Sequence, residues 1–166
     1  MFIKKKPETN RQKFDFEELD ELYREVILAH YRNPQNRRQI EDADIRCEGF
    51  NPFCGDEVFI QLKLDEQEGV AEVGHQAQGC SICKASASML TELLKGKTLE
   101  EAEALSRAFH RMMRGAPTSD EKANALGGLK AFQGVLKFPI RIQCALLPWA
   151  ALESGLNEYR ARIKDR

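Results

Sequence analysis

At 166 residues the chain is long enough for one domain with a real core and too short for two comfortable ones. With 42% hydrophobic and 31% charged residues it has an ordinary globular composition, and a net charge of −1 implies no general attraction to nucleic acid or anionic membrane. No apolar run approaches the roughly 20 residues that a bilayer-spanning helix needs, so no membrane segment is expected.

Residues 1–16 are polar and read as a flexible extension. Their basic residues are not followed by an apolar stretch, so they do not form a secretory signal, and a cytoplasmic chain is expected. Thiols stay reduced in that compartment, so the five cysteines point to metal, catalysis or plain burial before disulfides. Residues 17–157 form the expected single domain and 158–166 a polar tail.

Leu19, Leu22, Tyr23, Val26, Ile27 and His30 recur at helical spacing, and the helix is predicted to stop at RNPQNRR, where Asn33 precedes Pro34. His30 completes the amphipathic face. Val58, Ile60, Leu62 and Leu64 alternate with Phe59, Gln61, Lys63 and Asp65, the period of a half-buried strand. A loop at Gly69 returns the chain through Ala71, Val73 and His75, and 43–50 is available as a further strand.

From Cys80 the pattern turns helical. CSICKASASMLTELLKG is a helix closed by Gly96; Thr98 and Glu101 then form a capping box ahead of a stripe of Ala102, Leu105, Phe109 and Met112. RGAPTSDEKANALGG breaks the run, with room for a short capped helix. The last helix, about 139–157, is apolar almost all round and is expected to be buried. Strands first and helices afterwards predict an α+β fold, a small antiparallel sheet with helices packed on one face.

Three cysteines sit where structure changes. Cys54 lies in the loop NPFCGDE, with Asp56 two residues on; Cys80 opens a helix, where the macrodipole favours thiolate; Cys144 lies in the last helix. Together these four residues have the donor chemistry of a tetrahedral zinc site. Their spacing, without the usual close knuckles, is equally that of small buried hydrophobes, and the residues alone leave both readings open.

Four blocks in order, LYREVILAHYRNPQNR, NPFCGDEV, QGCSICKASASML and FPIRIQCALLPWAAL, resemble the IscU/NifU-N family of iron–sulfur cluster assembly proteins over about 19–156. The longer segment between about 97 and 137, and Gln143 in place of a histidine before the last cysteine, resemble the SufU-type branch. The resemblance implies the IscU/SufU-like fold and zinc held by Cys54, Asp56, Cys80 and Cys144. It also implies acceptance of persulfide sulfur from a PLP-dependent, SufS-type cysteine desulfurase, with delivery to downstream iron–sulfur assembly components. The SufU-type branch makes Cys54 the acceptor; IscU-type proteins favour the last cysteine, here Cys144. Arg141, in the matched block, is expected to offset the negative charge of the ligands.

Two other functions are compatible with the same residues: a scaffold that assembles and transfers a transient [2Fe–2S] cluster, and a thiol–disulfide oxidoreductase using Cys80 and Cys83. Cys83 stands where the family has a small residue and is expected to be packed, as is Cys47. His75 and His110 are read as surface or satisfied histidines. Pro148, four residues after Cys144, removes a helical hydrogen bond to the Cys144 carbonyl and is expected to kink the helix or free that carbonyl. Ala85, Ser86, Ala87 and Ser88 are small so that the helix bearing Cys144 can come close.

Overall fold

A computed structural model describes residues 21–165. The N-terminal extension and Leu19 lie outside the described residues. Helix α1 covers 21–32 and ends before the Asn33–Pro34 break. Three strands follow as a meander, β1 (Ile45–Asn51), β2 (Asp56–Leu64) and β3 (Val70–Gln78), antiparallel throughout and in the order β1-β2-β3. Helices α2 (Ser81–Leu94), α3 (Leu99–Met113) and α4 (Asp120–Leu126), a 3-10 segment Gly127–Lys137, and helix α5 (Pro139–Lys164) complete the chain.

The alternation in β2 has the expected consequence. Val58, Ile60 and Leu62 are fully buried beneath the helices, while Phe59 on the other face is exposed. Helix α5 lies across β1 so closely that a Cβ on Gly49 would stand 3.1 Å from Ala151 Cβ. Helix α3 starts as expected, with Thr98 Oγ1 accepting from the Glu101 N–H at 3.1 Å, and it buries Ala102, Leu105, Phe109 and Met112. Gly96 turns the chain at φ +84° between α2 and α3. The short helix anticipated after Arg114 is α4, capped by Ser119.

Three features differ from the sequence expectations. The segment after α4, where the sequence predicts no element, is a 3-10 coil burying Leu129, Ala131, Phe132 and Val135. Its Phe132 meets Phe109 edge-on at 5.8 Å, and Phe109 also meets Trp149 at 5.3 Å, so the aromatics tie α3 and this segment to α5. Helix α5 is not buried all round: its first turn leaves Ile140 78% exposed, near the likewise exposed Phe138. It also continues past 157 to Lys164, held by the ion pair of Arg160 with Glu103 and by Arg162 on the Asp44 carbonyl. Its helical assignment is unbroken through Pro148, so the proline does not end it. Proline has no N–H, and the Cys144 carbonyl is left without that helical partner.

Cys47 is buried against α5, where burial, with Glu158 adding to it, pushes its thiol up to about 12. A Cβ on Gly155 would lie 2.2 Å from its sulfur and 3.3 Å from the Arg46 carbonyl. Gly155→Ala is therefore expected to destabilise the fold by about 2–3 kcal/mol through overpacking. Cys47→Ala should restore much of that loss in the double variant, as read from denaturant midpoints; equal destabilisation with and without Cys47 would refute the contact.

Candidate metal centre

The β1–β2 connection is four residues long, Pro52 to Gly55, between the paired Asn51 and Asp56. Asn51 shapes it: its Oδ1 accepts from the Phe53 N–H at 3.0 Å, and its carbonyl accepts from the Gly55 N–H at 2.8 Å. Cys54 is thereby held exposed at the loop tip, whereas Asp56, at the start of β2, is fully buried.

At the far end of β3, Gly79 takes φ +132°. A Cβ there would fall 1.9 Å from Asp56 Oδ1 and 3.0 Å from Asp56 Cα. Glycine alone lets the chain pass this close to the carboxylate. Cys80 then caps α2 with its backbone but makes no side-chain cap bond. Its N–H instead donates to Asp56 Oδ1 at 2.9 Å, and its sulfur donates to Asp56 Oδ2 at 3.5 Å. Cys144 arrives from α5, which α2 meets closely: Ser86 Oγ donates to the Ala145 carbonyl at 2.6 Å, one residue from Cys144. The small residues of α2 do not all serve this contact. Ser88 faces the other way, accepting from the Gln35 N–H and bonding His30 Nδ1, both at 2.8 Å.

Four elements thus bring the candidate donors to one place. Sulfurs of Cys54 and Cys144 and a carboxylate oxygen of Asp56 lie within 4.8 Å of one another. The Cys80 sulfur falls outside that mutual set but touches Asp56. The Cys54–Cys144 sulfur separation is 3.7 Å. Two thiolates at Zn–S distances of ~2.3 Å in a tetrahedron stand about 3.8 Å apart, so this spacing fits the ion.

The electrostatics of the group suit a cation. Burial works to raise the Asp56 pKa, but hydrogen bonds from Cys54, the Cys80 N–H, Cys144 and the Cys80 thiol outweigh it and leave the carboxyl below its usual range. Burial, then the neighbouring Asp56 and Cys80, push the Cys144 thiol far up. A buried thiol beside a carboxylate becomes a thiolate readily only when a cation compensates it, so metal uptake here must release protons. Arg141 is exposed at the edge of the group; hydrogen bonding and charge interaction with Cys80, and then with Cys144, strengthen its hold on its proton.

The remaining candidates are elsewhere. Cys83 is fully buried, and burial, followed by the Asp56 charge, holds its thiol well above the ordinary value, which unsuits it to nucleophilic attack. His110 is satisfied by the Ser106 carbonyl at 2.8 Å. His75 is not at the surface: it is 2% exposed, with the Asn36 backbone against its ring. Sequence reasoning missed the apolar rim of the site, Phe53 (96% exposed), Phe138 and Ile140, because an exposed apolar residue looks like a core residue in a linear pattern.

His75 carries a pH signature. Burial, joined by the Arg37 charge and opposed by the hydrogen bond to Asn36, lowers its pKa from 6.5 to about 4. Between these values the unfolded chain binds more protons than the folded one, so stability is complete above about 6.5 and falls as pH drops toward about 4. The full effect is on the order of 3 kcal/mol. In His75→Gln the unfolding midpoint should lose this slope over that window; a slope unchanged from the parent would refute the assignment.

Residues 22–145 match the family model of the NifU-like N-terminal domain. The chain belongs to that family. Over 138 residues it is 46% identical to the zinc-dependent sulfurtransferase SufU of Bacillus subtilis, covering 83% of this chain and 91% of that protein. It is 34% identical to the iron–sulfur cluster assembly scaffold protein IscU of Streptococcus pyogenes, covering 84% of this chain and 85% of that one. Among solved structures, the SUF-system protein FiSufU of Fervidobacterium islandicum AW-1 superposes with a TM-score of 0.74 at 33% identity, over 80% of this chain and 94% of that one. The chain has the α+β fold expected from the sequence. No helix among the described residues is long and apolar enough to cross a membrane.

Proposed function

We propose that this NifU-N protein is a zinc-dependent sulfurtransferase of iron–sulfur cluster assembly that accepts persulfide sulfur from a PLP-dependent, SufS-type cysteine desulfurase. The observation that supports it best is the convergence of Cys54, Asp56 and Cys144 within 4.8 Å, with Cys80 on Asp56, in a chain 46% identical to a sulfurtransferase so named. Cys54, Asp56, Cys80 and Cys144 would hold the ion. Bound zinc supplies charge that keeps thiols deprotonated at neutral pH, and it has no redox chemistry of its own.

The chain's own residues divide the work by mobility. Cys80 at the cap of α2 and Cys144 within α5 are fixed by their helices; Cys54 rides an exposed four-residue loop and is the donor free to turn outward. The Cys54 thiolate attacks the outer sulfur of the donor persulfide. A sulfur–sulfur bond forms at Cys54 as the donor's breaks, and the donor leaves as a thiolate, with no net oxidation. Asp56 stays buried and ionised at the centre. With a divalent cation held by three thiolates and a carboxylate, about two negative charges would remain, and Arg141 would partly offset them. Phe53, Phe138 and Ile140, exposed around the acceptor, would meet the desulfurase and exclude water from the exchange.

A second reading, a scaffold for a [2Fe–2S] cluster, is supported by the 34% identity to IscU and shares these donors. Metal analysis of aerobically purified chain separates the two. About one zinc per chain, with stimulation of a cysteine desulfurase in iron-free buffer, is the expected result; stimulation that requires added iron would favour the scaffold. Chelator-stripped protein should lose the stimulation and regain it with zinc.

A further inference from the structure

A polar cavity lies between the end of α1, the turn after it, β3 and α2. It measures about 80 Å³ and is lined by Tyr31 and Arg32 at the end of α1, Arg37 of the following turn, His75 and Ala77 of β3, and Lys84 of α2. That is more than the roughly 30 Å³ a water occupies and room for one small polyatomic ion. We propose that this cavity is a binding site for a small divalent oxyanion of the phosphate or sulfate type.

Its walls are built rather than incidental. The turn that presents Arg37 is clamped to α2 by Gln35 N–H on Ser88 Oγ at 2.8 Å and by Asn36 Nδ2 on Thr91 Oγ1 at 3.1 Å. It is clamped to the edge of β3 by the His75 N–H donating to the Asn36 carbonyl at 3.0 Å. Asn36 holds this shape at φ +56°, and the Arg38 carbonyl packs where a Cβ on Gly74 would stand, 2.5 Å away. Lys84 Nζ rests 5.8 Å from the centre of the Tyr31 ring, a contact that keeps the ammonium at the cavity mouth.

The charge of the lining points to an anion. Arg32, Arg37 and Lys84 bring three positive charges to a cavity with no acidic side chain in its lining, and none of the three forms an ion pair with an acid among the described residues. His75, 2% exposed, lines the same cavity beside them, so its ring reports on what the cavity holds. The cationic donors come from three separate elements, α1, the turn and α2, which suits a polyatomic oxyanion, and three cations favour a dianion over chloride. This site is independent of metal occupancy and of the sulfur-transfer reading.

The test is a titration of the full chain with sodium phosphate, and separately sulfate, acetate and chloride, at constant ionic strength, following the His75 ring resonances by NMR. A saturable shift with phosphate or sulfate is expected, weakened about tenfold or more in Arg37→Gln and in Lys84→Gln. Arg37 is exposed and Lys84 half-buried, and both variants should keep the parent circular dichroism and metal content. The proposal is overturned if phosphate and sulfate give only the drift seen with chloride, if acetate alone saturates, or if both folded variants bind as tightly as the parent.

Discussion

Replacing Gly79 by alanine is expected to strip the centre of its metal while leaving the domain folded. The added methyl would lie 1.9 Å from Asp56 Oδ1, on a residue whose φ of +132° L-amino acids rarely adopt. Backbone strain of this kind costs on the order of 1–3 kcal/mol, which a folded domain survives. The carboxylate has no such tolerance. Asp56 is fully buried and short, and its Cα lies only 3.0 Å from the new atom, so relief must move the carboxylate off Cys80 and away from the sulfurs. Misplacing a ligand to this extent should weaken zinc binding at least ~10–100-fold, the scale seen when the partners that orient ligands are lost. Gly55→Ala is the control: it too sits at positive φ, but its Cβ meets nothing within 4 Å. Metal per chain after dialysis against a weak chelator, read beside the unfolding midpoint, decides the matter. Equal zinc retention in the two variants would show that the Gly79 contact does not hold the site.

Cys54→Ala is expected to abolish persulfide uptake and to lower desulfurase stimulation by ~100-fold or more, since the nucleophile itself is removed. The fold should be untouched, because the side chain is exposed at a loop tip and supports no core contact. Cys144→Ala makes the complementary case. It removes a fully buried sulfur beside Ser86 and Ala145, so it should reduce zinc content as well as activity. Mass spectrometry of chain incubated with a desulfurase and cysteine should place the extra sulfur on Cys54. A persulfide found on Cys144, with Cys54→Ala still loaded, would assign the acceptor to the helix instead.

Much of the architecture was legible in the linear pattern. The period-2 alternation of Val58, Ile60 and Leu62, the Thr98 cap, the stripe through Phe109 and the Asn33–Pro34 stop are local signals, each set by a few neighbouring residues. The 3-10 segment was not legible, because its burial comes from packing such as Phe132 on Phe109, between elements apart in sequence. The exposure of Ile140 was hidden for the same reason: what covers a helix face is decided by which elements reach it.

The order of the four motif blocks and the identity of Cys54, Asp56, Cys80 and Cys144 as metal-suited side chains belong to the sequence alone, since donor chemistry is a property of residue type. Whether those donors meet does not. They are separated by up to 90 positions, and their approach to one point depends on the β1–β2 hairpin, the passage of Gly79 over Asp56 and the seating of α5 on α2. The same holds for His75, whose burial and cationic neighbours become visible only once the turn after α1 is laid along β3. Chain-local preferences can name an element, but long-range packing alone sets the distances on which coordination depends.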